Sequence, residues 1–249
     1  MDNTKDLKLA VLIDADNVPY SNVKGMLEEI AKYGTPTFKR IYGDWTKPTL
    51  SGWKTVLLEN AITPVQQYAY TTGKNATDAA LIIDAMDILY TGDVDGFCII
   101  SSDSDFTRLA TRLREAGKQV IGIGERKTPK PFIASCNKFI YIEILPKEMP
   151  EQEAPSAKPV KKEKKEKTSN NNKALNKLII ASIHDLGEED GWVFLGTLGS
   201  LILKKQPDFD PRNFGHKKLL DLIKTVPGVL IEERLSGKNN SPHFYVRAK

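Results

Sequence analysis

In FCIISSDSDF, residues 97–106, an apolar run ends in two serines and then two carboxylates, Asp103 and Asp105. Like charges a few ångströms apart repel, so each acid needs hydrogen bonds of its own or a shared cation. Another short apolar run ends in VLIDADN, which places Asp14 and Asp16 together with Asn17 just behind. Asp78 opens a helical stretch in GKNATDAAL. Singly, such acids have ordinary uses: Asp105 as a helix cap, Asp78 at a positive helix start, Asp16 as a solvated loop acid. Together, Asp14, Asp78 and Asp103 call for a cation, and carboxylate oxygens suit a hard ion such as Mg²⁺ or Mn²⁺.

The chain has three histidines, His184, His216 and His243, and the first 145 residues contain none of them. This argues against a Ser-His-Asp triad or a histidine acid/base pair in that region. The chemistry that remains is metal-activated water attacking a phosphate ester. Asp14, Asp78 and Asp103 are then the principal ligands, directly or through water. Asp105 is a ligand or orients water, and Asn17 holds a carboxylate or contacts substrate.

The elements that must bring these acids together alternate between strand and helix. KLAVLIDADN, TFKRIYG, ITPVQQYAY, GFCIISS, QVIGIG and KFIYIEI read as strands. VKGMLEEIAKYG (closed by Gly34), LSGWKTVLLENA, ATDAALIIDAMDILYTG and DFTRLATRLREAGK (stopped by Gly117) read as helices. Repeated strand–helix–strand units imply a parallel sheet with helices on both faces. In such sheets ligands gather at the carboxyl ends of the strands, where the acids fall. Asp84 lies six positions beyond Asp78, about 240° round the helix, so a structural or supporting role suits it. The stretch GERKTPKPF, read as a loop, puts Arg126, Lys127 and Lys130 on the same edge, with Lys74 beside Asp78. These cations are placed to grip phosphates, or form an ordinary solvated loop. Tyr42 and Trp45 follow the second strand and are candidates for stacking on unpaired bases, though packing is the commoner use of Trp45.

LIDADN, GKNATD and IISSDSDF, in this order and spacing, resemble the three motifs of the NYN domain, a branch of the PIN-like metal-dependent ribonucleases. The resemblance covers about the first 145 residues. It implies a PIN-like α/β/α sandwich, a divalent metal and an acidic site on Asp14, Asp78, Asp103 and Asp105, with Asn17 nearby. It also implies RNA as substrate, single-stranded or structured, and a domain that often pairs. Asp14-Ala15-Asp16 after a strand is shared by haloacid-dehalogenase phosphatases, whose chemistry needs Asp16. However, GKNATD has no place in that family and Asn17 stands where Thr or Val is usual.

Residues 146–173 change character. Lysine, glutamate, proline and asparagine dominate, with 8 Lys+Arg against 5 Asp+Glu. Such a segment buries too little to order itself and reads as a flexible linker. Its lysines serve solubility or attract phosphates. Residues 174–249 follow with three helical stretches, ALNKLIIASIHDL, WVFLGTLGSLILKKQ after a strand-like start, and NFGHKKLLDLIKTVPG. VLIEERL and HFYVRA then flank a polar turn, completing a winged-helix pattern. FDPRNFGHKKLLDLI with this hairpin resembles a LOTUS domain, also called OST-HTH, which implies binding of RNA or of a protein partner. Arg212, Lys217 and Lys218 are its phosphate-facing candidates. His216, with no second histidine at ligand spacing, is a surface or capping residue.

Charge is uneven along the chain. Residues 1–145 carry 17 Lys+Arg against 18 Asp+Glu, and residues 174–249 carry 11 against 9. The basic tail half is what a nucleic-acid partner would meet. The two cysteines, Cys98 and Cys136, make no disulfide framework, and no apolar run approaches a membrane span. The N-terminus has no signal-peptide core, so a cytoplasmic setting is expected. The whole reads as a metal-dependent ribonuclease with an RNA-binding tail. The alternatives are an RNA-binding regulator or scaffold with a silent pocket and, less favoured, the phosphatase.

Overall fold

The computed structural model describes residues 6–68, 76–146, 164–187, 190–236 and 241–249. The chain divides into two compact units, Met1–Pro150 and Glu151–Lys249.

Six strands form the first unit's sheet: β1 (Lys8–Asp14), β2 (Thr35–Gly43), β3 (Thr63–Gln66), β4 (Gly96–Ile100), β5 (Gln119–Gly124) and β6 (Lys138–Tyr141). Every pairing is parallel and the order is β3-β2-β1-β4-β5-β6. The chain therefore builds outward from β1 to β3, crosses back, and builds the other way from β4. The reversal lies between β1 and β4, the position at which an open sheet leaves a crevice outside its strand ends.

Residues along β1 alternate between two cores. Leu9, Val11 and Ile13 pack with Val23, Met26 and Ile30 of α1 (Val23–Ile30) and with Trp53 and Leu57 of α2 (Trp53–Glu59). Ala10 and Leu12 face the opposite core. It is built with Leu81, Ala85 and Ile88 of α3 (Ala76–Thr91), Leu109 and Leu113 of α4 (Thr107–Glu115) and Phe132 of α5 (Lys130–Ser135). Because both faces of β1 are covered, its sequence is continuously apolar. The result is the expected three-layer α/β/α sandwich.

Two local expectations change. Helix α1 ends at Ile30, and Gly34 serves instead as a point of close approach, since a Cβ there would lie 2.2 Å from the carbonyl oxygen of Leu7. The GERKTPKPF segment is only partly a loop. Pro129 precedes the short helix α5, which buries Phe132 and Ile133. Gly117 does close α4, with φ +77.

The second unit contains α6 (Lys164–Leu186), β7 (Val193–Phe194), α7 (Leu195–Lys205), α8 (Leu219–Ile223), β8 (Val229–Ser236) and β9 (Ser241–Ala248). Its antiparallel sheet runs β7-β9-β8. Leu175, Ile179 and Ile183 of α6 pack with Leu198 and Ile202 of α7, Leu222 and Ile223 of α8, and Val246 of β9. Three helices and a hairpin match the winged-helix pattern. Helix α6 begins earlier than the apolar spacing indicated and takes in residues 164–173 of the lysine-rich stretch. The third helix is shorter than expected. A 3-10 turn, Pro211–Phe214, ends at left-handed Gly215 (φ 83), and only Leu219–Ile223 is α-helical.

Candidate metal centre

Asp14 is the last residue of β1 and is 1% exposed. Its Oδ1 accepts a hydrogen bond from the Asp16 amide (3.1 Å). Its Oδ2 accepts from Asn17 Nδ2 (2.7 Å) and from Ser101 Oγ (2.8 Å). Burial still pushes this carboxyl above its usual range, against the three hydrogen bonds, and the Asp16 charge adds to the rise.

The strand beside it ends in the second set of acids. Fully buried Ser101 donates to Asp14 and accepts from the Asp103 amide at 3.1 Å, so one hydroxyl ties the tip of β4 to the tip of β1. Asp103 caps the following 3-10 turn, its Oδ1 accepting from the Asp105 amide at 2.9 Å. Helix α3, crossing the sheet between β3 and β4, delivers Asp78 in its first turn. One carboxylate oxygen each from Asp78, Asp103 and Asp105 lie within 4.8 Å of one another. Asp78 is pushed up to about 6, first by burial and then by the charges of Asp14, Asp103, Asp105 and Asp16. Each of these causes acts in the same direction.

An all-oxygen donor set held together against its own repulsion fits a hard divalent cation. The closest group is Asp78, Asp103 and Asp105. Asp14 stands outside that group, with both oxygens engaged. Asn17 holds a carboxylate, the first of its two expected uses.

Several expected contacts resolve differently. Tyr42 is fully buried and its hydroxyl donates to Asp84, so it is not available to stack on a base. Asp84 also receives Arg40 Nη1, which clamps α3 to β2 and gives Asp84 a structural role. Trp45 is half-buried, with Nε1 donating to the Val65 carbonyl at 3.1 Å. Lys127 pairs with Glu125 (2.6 Å), and the Arg126 guanidinium lies 5.4 Å from the Tyr141 ring centroid. Lys130 is exposed at the start of α5. The Glu125 amide donates to Ser102 Oγ at 2.9 Å, fastening this loop beside the acidic edge. Lys74 lies outside the described residues. Lys47, not singled out from sequence, reaches Asp16 at 3.4 Å. Ser101 was also missed, although its signal was a small hydroxyl residue directly behind a buried strand.

In the second unit Arg212 is held by Asp210, through Nε to Oδ1 (3.0 Å) and Nη2 to Oδ2 (2.7 Å). Lys217 and Lys218 are exposed just before α8.

The NYN domain model matches residues 8–143, more than half of the chain. This chain belongs to the NYN domain family. The match takes in Asp14, Asp78 and Asp103 together, including the segment for which the phosphatase alternative has no place. NYN domains fall within the PIN-like nuclease superfamily, which is the setting of this acidic edge. A second model, the OST-HTH/LOTUS domain, matches residues 166–241. Among solved structures the chain is similar to a protein of unknown function from Vibrio parahaemolyticus, at 22% identity, over 57% of this chain and 96% of that one, with TM-score 0.47. An uncharacterized protein from Nitrosomonas europaea is 31% identical over 42% of this chain and 90% of its own, with TM-score 0.28. A Chromobacterium violaceum protein is 30% identical over 30% of this chain and 78% of its own, with TM-score 0.26. No match was found among curated proteins. No helix among the described residues is long and apolar enough to cross a membrane.

Proposed function

We infer that this NYN protein is a cytoplasmic metal-dependent endoribonuclease, with residues 1–145 as the nuclease and residues 174–249 as an RNA-binding domain joined to it through 146–173. The observation that carries the reading is the convergence of Asp78, Asp103 and Asp105 within 4.8 Å at the strand-order reversal, beside buried Asp14. Asp78, Asp103 and Asp105 would hold Mg²⁺ or Mn²⁺, and Asp14 would complete the negative field. A divalent cation there supplies Lewis-acid activation of water and offsets charge on the phosphate. The chain's own residues do the positioning. Ser101 and Asn17 fix the Asp14 carboxylate, and the Asp105 amide fixes that of Asp103. Arg126, Lys127 and Lys130 on the neighbouring loop and helix, with Lys74, would steer the flanking phosphates. Lys217, Lys218 and Arg212 would do the same in the second unit, raising the local RNA concentration around the nuclease.

The test is cleavage of an end-labelled single-stranded RNA in Mn²⁺ or Mg²⁺. Wild type should cut, leaving 5′-phosphate and 3′-hydroxyl ends. Asp103→Asn and Asp14→Asn should each slow cutting by roughly 100-fold or more. Equal rates for all three proteins, or no cutting by wild type, would sink the catalytic reading and leave an RNA-binding protein with a silent acidic pocket.

A further inference from the structure

The sheet of the second unit has one face on the core and one turned away from it. Alternation along β9 puts Phe244, Val246 and Ala248 on the first and His243, Tyr245 and Arg247 on the second. Register adds neighbours to the second face. Tyr245 is opposite Phe194 of β7 on one side and Glu232 of β8 on the other, and Arg234 is opposite His243. The rings form a continuous group. Phe194 lies 5.7 Å from Tyr245 and 5.4 Å from His243, centroid to centroid. Arg234 lies 4.4 Å from the Tyr245 centroid and 5.4 Å from that of Trp192, and Arg247 lies 5.0 Å from that of Trp192. Guanidinium groups held over rings are thus built into this surface.

A large aromatic side chain turned out of its own core is costly to leave in water. Phe194 is 40% exposed although its neighbour Val193 is buried. The charges on this face are accounted for as follows. Glu232 accepts from Arg234 Nε at 2.9 Å. The Asp190 carboxylate accepts from the Trp192 amide at 2.9 Å. Arg247 lies over Trp192, feels the Glu232 charge, and donates one long hydrogen bond, Nη1 to the Asp190 carbonyl at 3.5 Å. Phe194 offers an exposed ring to a flat apolar partner, the arginine-backed Tyr245 extends it, and Arg247 supplies a guanidinium for an anion beside them. Unpaired nucleotides carry both, a base π-face and a phosphate.

We propose that this aromatic face, centred on Phe194 and Tyr245, is a stacking platform for unpaired bases of single-stranded RNA, with Arg247 contacting the adjoining phosphate. It uses residues other than Lys217 and Lys218, and it rests on the reading of the second unit as an RNA-binding domain. It also assigns a preference, since bases in a duplex are already stacked and do not offer their faces.

The experiment is fluorescence anisotropy on the full-length chain in EDTA, which prevents cleavage. Three probes are compared: a labelled uridine-rich single strand, an abasic sugar-phosphate strand of the same length, and a blunt RNA duplex. Wild type should bind the first more tightly than the other two. Phe194→Ala should weaken single-strand binding by about 10-fold, the scale of one lost base stack, and leave duplex binding unchanged. Tyr245→Phe keeps the ring and should bind like wild type, whereas Tyr245→Ala should not. Thermal melting of each variant separates lost contact from lost fold. Unchanged single-strand affinity in Phe194→Ala, or equal affinity of wild type for the abasic strand, would overturn the platform while leaving RNA binding by the basic residues intact. In that case the face would be free for a protein contact. Failure of wild type to bind any of the three probes would overturn the RNA reading itself, and the platform with it.

Discussion

At the scale of single residues, the site is a balance between burial and charge. Asp78 is pushed up to about 6 from 3.8 because its surroundings disfavour the carboxylate. Between those values the folded chain binds a proton that the unfolded chain has released, so the metal-free protein loses stability as pH rises through this window. Above about pH 6 the ionised Asp78 weighs against the fold, and Asp78→Asn removes that burden. The variant should therefore melt about 3 °C higher than wild type at pH 8 in EDTA, and the gain should vanish as pH falls toward 4. Divalent cation should reverse the ranking at pH 8, stabilising wild type and not the variant. Ser101→Ala should act oppositely, because it strips one donor from buried Asp14 and the acceptor from the Asp103 amide. A cost of about 1–3 kcal/mol in urea unfolding is expected. The acids were legible in the sequence because carboxylates behind apolar strands are conspicuous. Ser101 was not, since a serine at a strand end is commonplace until its partner 87 residues away is known.

Elements decide where those residues go. Strand β1 was readable because both of its faces are buried, and α3 and α4 because their apolar spacing is regular. Helix α5 was hidden by its prolines, which suggest a loop although Pro129 and Pro131 sit where a helix start tolerates them. The third helix of the second unit is shorter than the sequence suggests because left-handed Gly215, with φ of 83, breaks the chain before the apolar run that starts at Leu219. The clamp of Arg40 and Tyr42 on Asp84 joins two elements that the strand pattern leaves unconnected. Asp84→Ala should cost about 2 kcal/mol in chemical denaturation, since it orphans a buried hydroxyl and a half-buried guanidinium. Tyr42→Phe should cost about 1 kcal/mol. Because α3 also carries Asp78, the Asp84 variant should bind Mn²⁺ more weakly, whereas the Tyr42 variant keeps the Arg40 contact and should bind it nearly as well.

At the scale of the whole molecule, two units with separate cores should unfold as two transitions. Differential scanning calorimetry should resolve both, and Mn²⁺ should move only the one belonging to the acidic unit. A single transition, or a shift of both, would show that the units are energetically coupled. The strand order also has a consequence for the newly made chain. Strand β1 is synthesised first, yet its neighbour β4 is the fourth strand, and the hydrogen bond from Ser101 to Asp14 closes a separation of 87 residues. Contacts of such separation are bought late, after the entropy of a long loop has been surrendered. Asp14 therefore leaves the ribosome long before Asp103 exists to meet it. A nascent chain holds no complete acidic edge while β4 is still unmade, so the cluster of Asp78, Asp103 and Asp105 is absent beside the message during most of the unit's synthesis.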